Sequence, residues 1–279
     1  TNEIYTLSLH DALPIYQIAY QKSVLKRRIK WFSERKIIAR RFEKETLPFK
    51  IYEHTSLIRR RLGDIDMQLQ DNKAINLSLV KPKIDGVVIL PGQKFSFWYL
   101  VGKCTGSKGF KEGLVIKNGE ASKGVGGGMC QFTNLIHWLV LHSPLTILEH
   151  HHHNGLDLFP DFGRQVPFGT GTSIAYNYID YQFVNNTRQS FQLKIELNSE
   201  YIIGALYSDL PVENSYHVVE ENGFFTKKDQ NFYRNNEVYR IINNKKTDNL
   251  LSKELIVKSH SKIMYDEKYI PKELIREIL

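Results

Sequence analysis

Gly124-Val125-Gly126-Gly127-Gly128-Met129-Cys130-Gln131 leads directly into an apolar run from Phe132 to Leu141, and further along comes Leu148-Glu149-His150-His151-His152-His153. Three glycines in a row let the backbone bend and pack where side chains would clash. The apolar run is long enough for a helix and too uniform for an alternating strand. A helix that begins here carries Cys130 in its first turn, where unpaired N–H groups and the helix dipole favour a thiolate. The same cysteine, taken alone, also reads as a small packed hydrophobe. The histidine run weighs towards chemistry, because imidazoles accept protons and bind metals near neutral pH.

Working outward, most other segments alternate with period two. Lys94-Phe95-Ser96-Phe97-Trp98 alternates after the turn Pro91-Gly92. Leu114-Val115-Ile116 followed by Asn118-Gly119 reads as a strand and a tight turn. Residues 145–149 form a strand that delivers the histidines. Residues 173–184 read as a long strand turned by Asn185-Asn186-Thr187 into 191–197, making a hairpin. Beyond Pro211 the chain stays strand-like to 260. Residues 72–90 read as extended or mixed, since Ile75, Leu77 and Leu79 alternate with polar neighbours. The expected class is α+β and β-rich, with a mainly antiparallel sheet and one central helix after the glycine-rich loop.

The N-terminal part differs. Residues 16–44 carry Val24, Leu25, Ile29, Phe32 and Ile38 at near-helical spacing among many Lys and Arg, with Pro48 as the stop. This basic helix suits an anionic membrane surface, or a packed helix with a solvated face. Residues 5–15 resemble the translation of a short-read sequencing adapter, so 1–15 are expected to be non-native and the native N-terminus missing. Export therefore stays open beside a cytoplasmic or membrane-peripheral place. The organisation expected is 1–15 non-native, 16–80 basic and helical, 81–207 the central domain, and 208–279 a β-rich extension.

Composition sets looser bounds. The 279 residues, 42% hydrophobic, suffice for one large or two small domains. A formal net charge of +8 fits anionic partners. It does not choose among them, and nucleic acid is not expected. Two cysteines, Cys104 and Cys130, make no disulfide framework. No apolar run reaches transmembrane length.

The motifs Pro91-Gly92-Gln93-Lys94-Phe95-Ser96-Phe97, Val101-Gly102, Gly109-Phe110-Lys111-Glu112-Gly113, Asn118-Gly119, Gly126-Gly127-Gly128-Met129-Cys130-Gln131 and Glu149-His150-His151-His152-His153 occur in that order. Together they resemble the VanW family over about residues 83–207. The resemblance implies an accessory role in glycopeptide resistance or cell-wall biology, with peptidoglycan or its precursors as partner. It carries over Cys130, Gln131, His151 and His153. The family's Arg falls on His150, and its Gly-Arg-Asp-Ala falls on Gly169-Thr170-Gly171-Thr172, so that Asp is missing. Asp157, Asp161 and Asp180 are the candidates to replace it.

Three chemistries fit these residues. In the first, Cys130 is the nucleophile of acyl transfer on peptide stems. His151 or His153 is then the base, and N–H groups at the helix start hold the oxyanion, with Gly126, Gly127 and Gly128 leaving room for substrate. In the second, Cys130, His151 and His153 are zinc ligands. In the third, the protein binds or scaffolds without catalysis, using Trp98, Trp138, Tyr176 and Tyr178 as contact surface. Cys104 has no motif partner and reads as incidental.

Overall fold

Asp66 starts the helix that the alternation conceals. Its side chain accepts from the N–H of Gln68 at 2.9 Å, and the helix α2 runs through Met67–Ile84. This corrects the extended reading of 72–90. Leu69, Lys73, Asn76, Leu77, Val80 and Ile84 are buried at steps of three and four, which is helical spacing. The apparent period of two at 75–79 mixes inward Leu77 with exposed Ile75. Extended chain follows only at 87–89.

The computed structural model describes residues 9–60, 66–117, 120–152, 155–160 and 165–276. In chain order the first elements are helix α1 (Leu9–Glu34), strands β1 (Arg41–Phe42) and β2 (Phe49–Leu57), then α2. Next come β3 (Val87–Ile89), β4 (Lys94–Ser96), α3 (Phe97–Val101), β5 (Glu112–Lys117), β6 (Glu120–Val125) and α4 (Met129–Leu141). Then follow β7 (Thr146–Glu149), β8 (Leu156–Asp157), β9 (Gln182–Val184), β10 (Phe191–Leu197) and β11 (Tyr201–Ser208). The chain closes with β12 (Asn214–Lys228), β13 (Asn231–Asn244), β14 (Leu250–Ile263) and β15 (Ile275–Arg276). The class is α+β with mainly antiparallel sheets, as expected.

One five-stranded sheet has the order β1-β3-β10-β11-β2, and α2 and α4 pack on it. Leu77, Val80, Leu135, Leu139, Phe191, Leu193 and Ile202 meet in this core. The second sheet, β15-β12-β13-β14-β8, is a long meander with a small cluster of its own around Phe225, Ile263 and Ile270. A short sheet β4-β9-β7 and the hairpin β5–β6 complete the layers.

Two further expectations are corrected. Residues 173–184 are not one strand paired with 191–197. Only β9 is extended there, and it pairs with β4 and β7, whereas β10 pairs with β3 and β11. Buried Asn185 moves the chain between sheets: its Nδ2 donates to the carbonyls of Ile89 and Gln189, and its Oδ1 accepts from Thr187. The basic helix ends at Glu34 rather than near Pro48. After it the backbone is taken by the sheet, since Lys94 N–H donates to Ile37 and Ala39 N–H donates to Lys94. Buried Ile38 and Ala39 fix that path.

Candidate functional site

The glycines are demanded by close approach. A Cβ on Gly127 would overlap the backbone of Gly113 in β5, and one on Gly128 would overlap the Lys73 stem of α2. Gly128 also sits at φ 106°, which side chains avoid, and serves as the N-cap of α4. Asn76, fully buried, staples the loop from below. Its Nδ2 donates to the carbonyls of Gly127 at 2.9 Å and Lys111 at 3.0 Å, and its Oδ1 accepts from Lys111 N–H at 2.8 Å. The start of α4 is therefore held by hairpin and helix together.

Above it runs a groove of about 1420 Å³, walled by α4, α2, the β5–β6 hairpin, residues 155–160 and 165–176, and the middle of β14. Cys130, Gln131, His152, Trp98, Trp138 and Tyr176 line it. Cys130 is partly exposed there. Burial pushes its thiol up from the ordinary value, while the backbone N–H groups of Ile174 and of Cys130 itself work against that rise. The helix start thus does not lower the thiol as the sequence led us to expect, because desolvation outweighs the dipole. Gln131, which lines the groove, ties α4 to β2 by donating Nε2 to Ser56 Oγ and the Leu57 carbonyl; its Oε1 is buried without a partner.

The histidine run divides by residue. His151 leans away to Glu149, Nε2 to Oε1 at 3.3 Å, with 41% of its side chain exposed, and it does not line the groove. His150 stacks on buried His137 at 4.1 Å, and its Nε2 lies 3.0 Å from the Gly171 carbonyl. His152 lines the groove and bonds backbone at Gly171 and Gly169. Burial lowers His137, His150 and His152, with His150 down to about 4, so the stack is neutral at pH 7. These rings fasten the segment 169–172 over α4, where Thr172 also donates to Asn134 Oδ1. His153 and Asp161 lie outside the described residues, as does the Asn118-Gly119 turn.

The carboxylates considered as replacements do other work. Asp180 is buried and accepts from Ser96 Oγ and the N–H of Trp98, holding the start of α3. Asp157 takes the hydroxyl of Tyr265 at 3.0 Å and lies 3.7 Å from Arg234. The carboxylate beside an imidazole is Glu149, which also receives both Nη atoms of Arg27 from α1 and the N–H of Asp180. Among the described residues no group of three His, Cys, Asp or Glu could hold a metal ion. Among them, too, no helix is long and apolar enough to cross a membrane.

Sequence reasoning missed Lys73 and Gln70, which also line the groove. Both lie on α2, whose part from 72 on reads in the sequence as extended or mixed chain and whose first turn receives no element there, so their common face could not be seen. Their signal is the i, i+3 spacing of Gln70, Lys73 and Asn76, with Leu77 at i+4 from Lys73.

Comparison with known proteins places these features in context. The profile of the family described as VanW-like protein matches residues 72–207. The chain is 30% identical over 221 residues to the vancomycin B-type resistance protein VanW of Enterococcus faecalis, covering 79% of this chain and 80% of that protein. It is 31% identical over 140 residues to the uncharacterized protein YoaR of Bacillus subtilis, covering 49% of this chain and 43% of that one. No solved structure matches.

Proposed function

The chain belongs to the VanW-like proteins, and from that membership and the groove at Cys130 we propose an accessory protein of glycopeptide resistance or cell-wall metabolism that binds peptidoglycan or its precursors. The observation that carries the reading is Cys130, set in the first turn of α4 and partly open to a large groove beside the Ile174 N–H. That arrangement supports acyl transfer. The sulfur attacks a stem-peptide carbonyl, the S–C bond forms as the amide C–N bond breaks, and the thiol proton leaves with the amine. His152 is the described imidazole of the run that shares the groove. His151, oriented by Glu149, and His153 remain the bases proposed from the sequence.

A second reading is a non-catalytic binding module. It is favoured by the raised thiol and by histidines that hold backbone. Complementation separates the two. A folded Cys130→Ser protein that fails to restore glycopeptide susceptibility or muropeptide pattern in a deletion strain supports thiol chemistry. Full complementation leaves the binding module. Stoichiometric zinc that disappears in Cys130→Ser would move the reading to coordination.

The basic helix keeps its own proposal, contact with an anionic membrane surface. Val24, Arg27, Trp31 and Glu34 turn inward, while Ile18, Leu25, Ile29 and Phe32 stay exposed among Lys and Arg. An outward apolar stripe on a basic helix suits a lipid interface. Flotation with anionic vesicles, lost in Leu25→Ser/Phe32→Ser, supports it; no flotation at low salt removes it.

A further inference from the structure

We propose that the α2–α4 end of the groove receives the C-terminal carboxylate of a peptide, with Lys73 and Gln70 Nε2 as donors to the carboxylate and Gln131 Oε1 as acceptor of the peptide's last N–H. The inference rests on reading this groove as a ligand site, but not on any reaction of Cys130.

Three polar groups without partners belong to residues that line the groove. Lys73 is 7% exposed, lines the groove, and makes no hydrogen bond or ion pair among the described residues. Gln70 is 1% exposed; its Oε1 accepts from Arg60 N–H, and its Nε2 has no partner. Gln131 spends its two N–H bonds on β2, leaving Oε1 unpaired. Buried groups of this kind cost stability unless a ligand satisfies them.

Their placement makes them one site. Gln70 and Lys73 stand three residues apart and so share a face of α2. The Lys73 stem packs against Gly128, the N-cap of α4, and Gln131 lies in the first turn of that helix. The dipole of a 13-residue helix adds positive potential at the helix start that the Lys73 stem packs against. Arg60 lines the same end and adds a further positive charge. Two donors in a positive field ask for an anionic oxygen group, and the lone acceptor beside them asks for an N–H. A peptide's free C-terminus offers both within one residue. Orthophosphate offers the anion without the N–H.

Desolvation, with help from Arg60 and Arg59, lowers the Lys73 amine to about 7. An amine near its titration point takes up a proton readily when an anion arrives, which fits a site open to exchange.

The test is calorimetric titration of the full chain with N-acetyl-alanyl-alanine, its C-terminal amide and inorganic phosphate. We expect saturable binding of the acid, at least tenfold weaker binding of the amide, and at least tenfold loss for the acid in Lys73→Met. The titration reads binding alone, so its failure leaves the complementation test of Cys130 standing, and failure of that test leaves this one standing. Equal binding of acid and amide, no saturable binding of the acid, or a Lys73→Met protein that binds the acid as wild type does would each overturn the proposal. Phosphate binding that depends on Lys73 while the acid fails to bind would replace the peptide carboxylate with a phosphate.

Discussion

At the residue scale the groove holds groups whose proton affinity burial has moved from the ordinary value. Cys130 is pushed up and Lys73 down, each chiefly by desolvation. Alkylation of Cys130 by iodoacetamide should therefore still be accelerating at pH 9; a plateau below pH 7 would mean an activated thiolate and overturn the burial argument. Lys73 gives a stability prediction with a definite sign. Its folded value, about 7, lies below the unfolded value near 10.5. Below pH 7 the full cost of charging a buried amine is present. As pH rises towards 10.5 the unfolded chain sheds the extra proton and the cost fades. Lys73→Met should thus stabilise the protein by on the order of 2 kcal/mol at pH 6, and by less at pH 10. Denaturant melts at the two pH values check this, and a destabilised variant at pH 6 would assign Lys73 a structural role instead.

At the scale of elements, the polar staples decide where helices and loops sit. Asn76→Ala removes three hydrogen bonds and takes the partner from the Gly127 carbonyl and the Lys111 N–H, while the Lys111 carbonyl keeps the N–H of Gly126. A loss of about 2–4 kcal/mol is expected in denaturant unfolding; a loss below half a kcal/mol would show the triglycine loop holding itself. Glu149 links α1, β7 and His151 at once. Burial raises its carboxyl, but the bonds from Arg27, Asp180 N–H and His151 more than offset this, leaving it below the usual value. Its contribution is present at neutral pH and fades as pH falls through that lowered value. Glu149→Gln should loosen α1 and speed limited proteolysis in 18–36, while the rest of the chain stays resistant. Unchanged cleavage would mean that the buried Lys94–Glu34 pair and Trp31 hold α1 unaided.

These elements also show what the sequence made legible. The glycine-to-helix transition at Cys130, the strand before the histidines and the strand at 114–116 were readable, because each is set by a short stretch with one pattern. Helix α2 was not. Its inward face includes Lys73 and Asn76, so an apolar count saw only Ile75, Leu77 and Leu79 and mistook them for alternation. The long strand read at 173–184 failed for the opposite reason. Its alternating tyrosines and isoleucines sit in turns, with Asn177 at φ 58° and a single bridge between Ala175 and Ile179. The histidine run was legible as a feature but not as separate roles, since stacking on His137 and pairing with Glu149 depend on residues brought in from other elements.

For the whole molecule, a groove lies where the helix-backed sheet meets the long meander, and the start of α4 opens into it. The central claim is that cell-wall peptide occupies that groove. The most direct measurement is hydrogen–deuterium exchange of the full chain with and without a soluble muropeptide carrying a free stem carboxylate. We predict added protection in three stretches, 67–76, 126–135 and 171–176, with the far ends of β12–β14 unchanged. Protection confined to α1 or to the outer meander, or none at saturating muropeptide, would contradict the account.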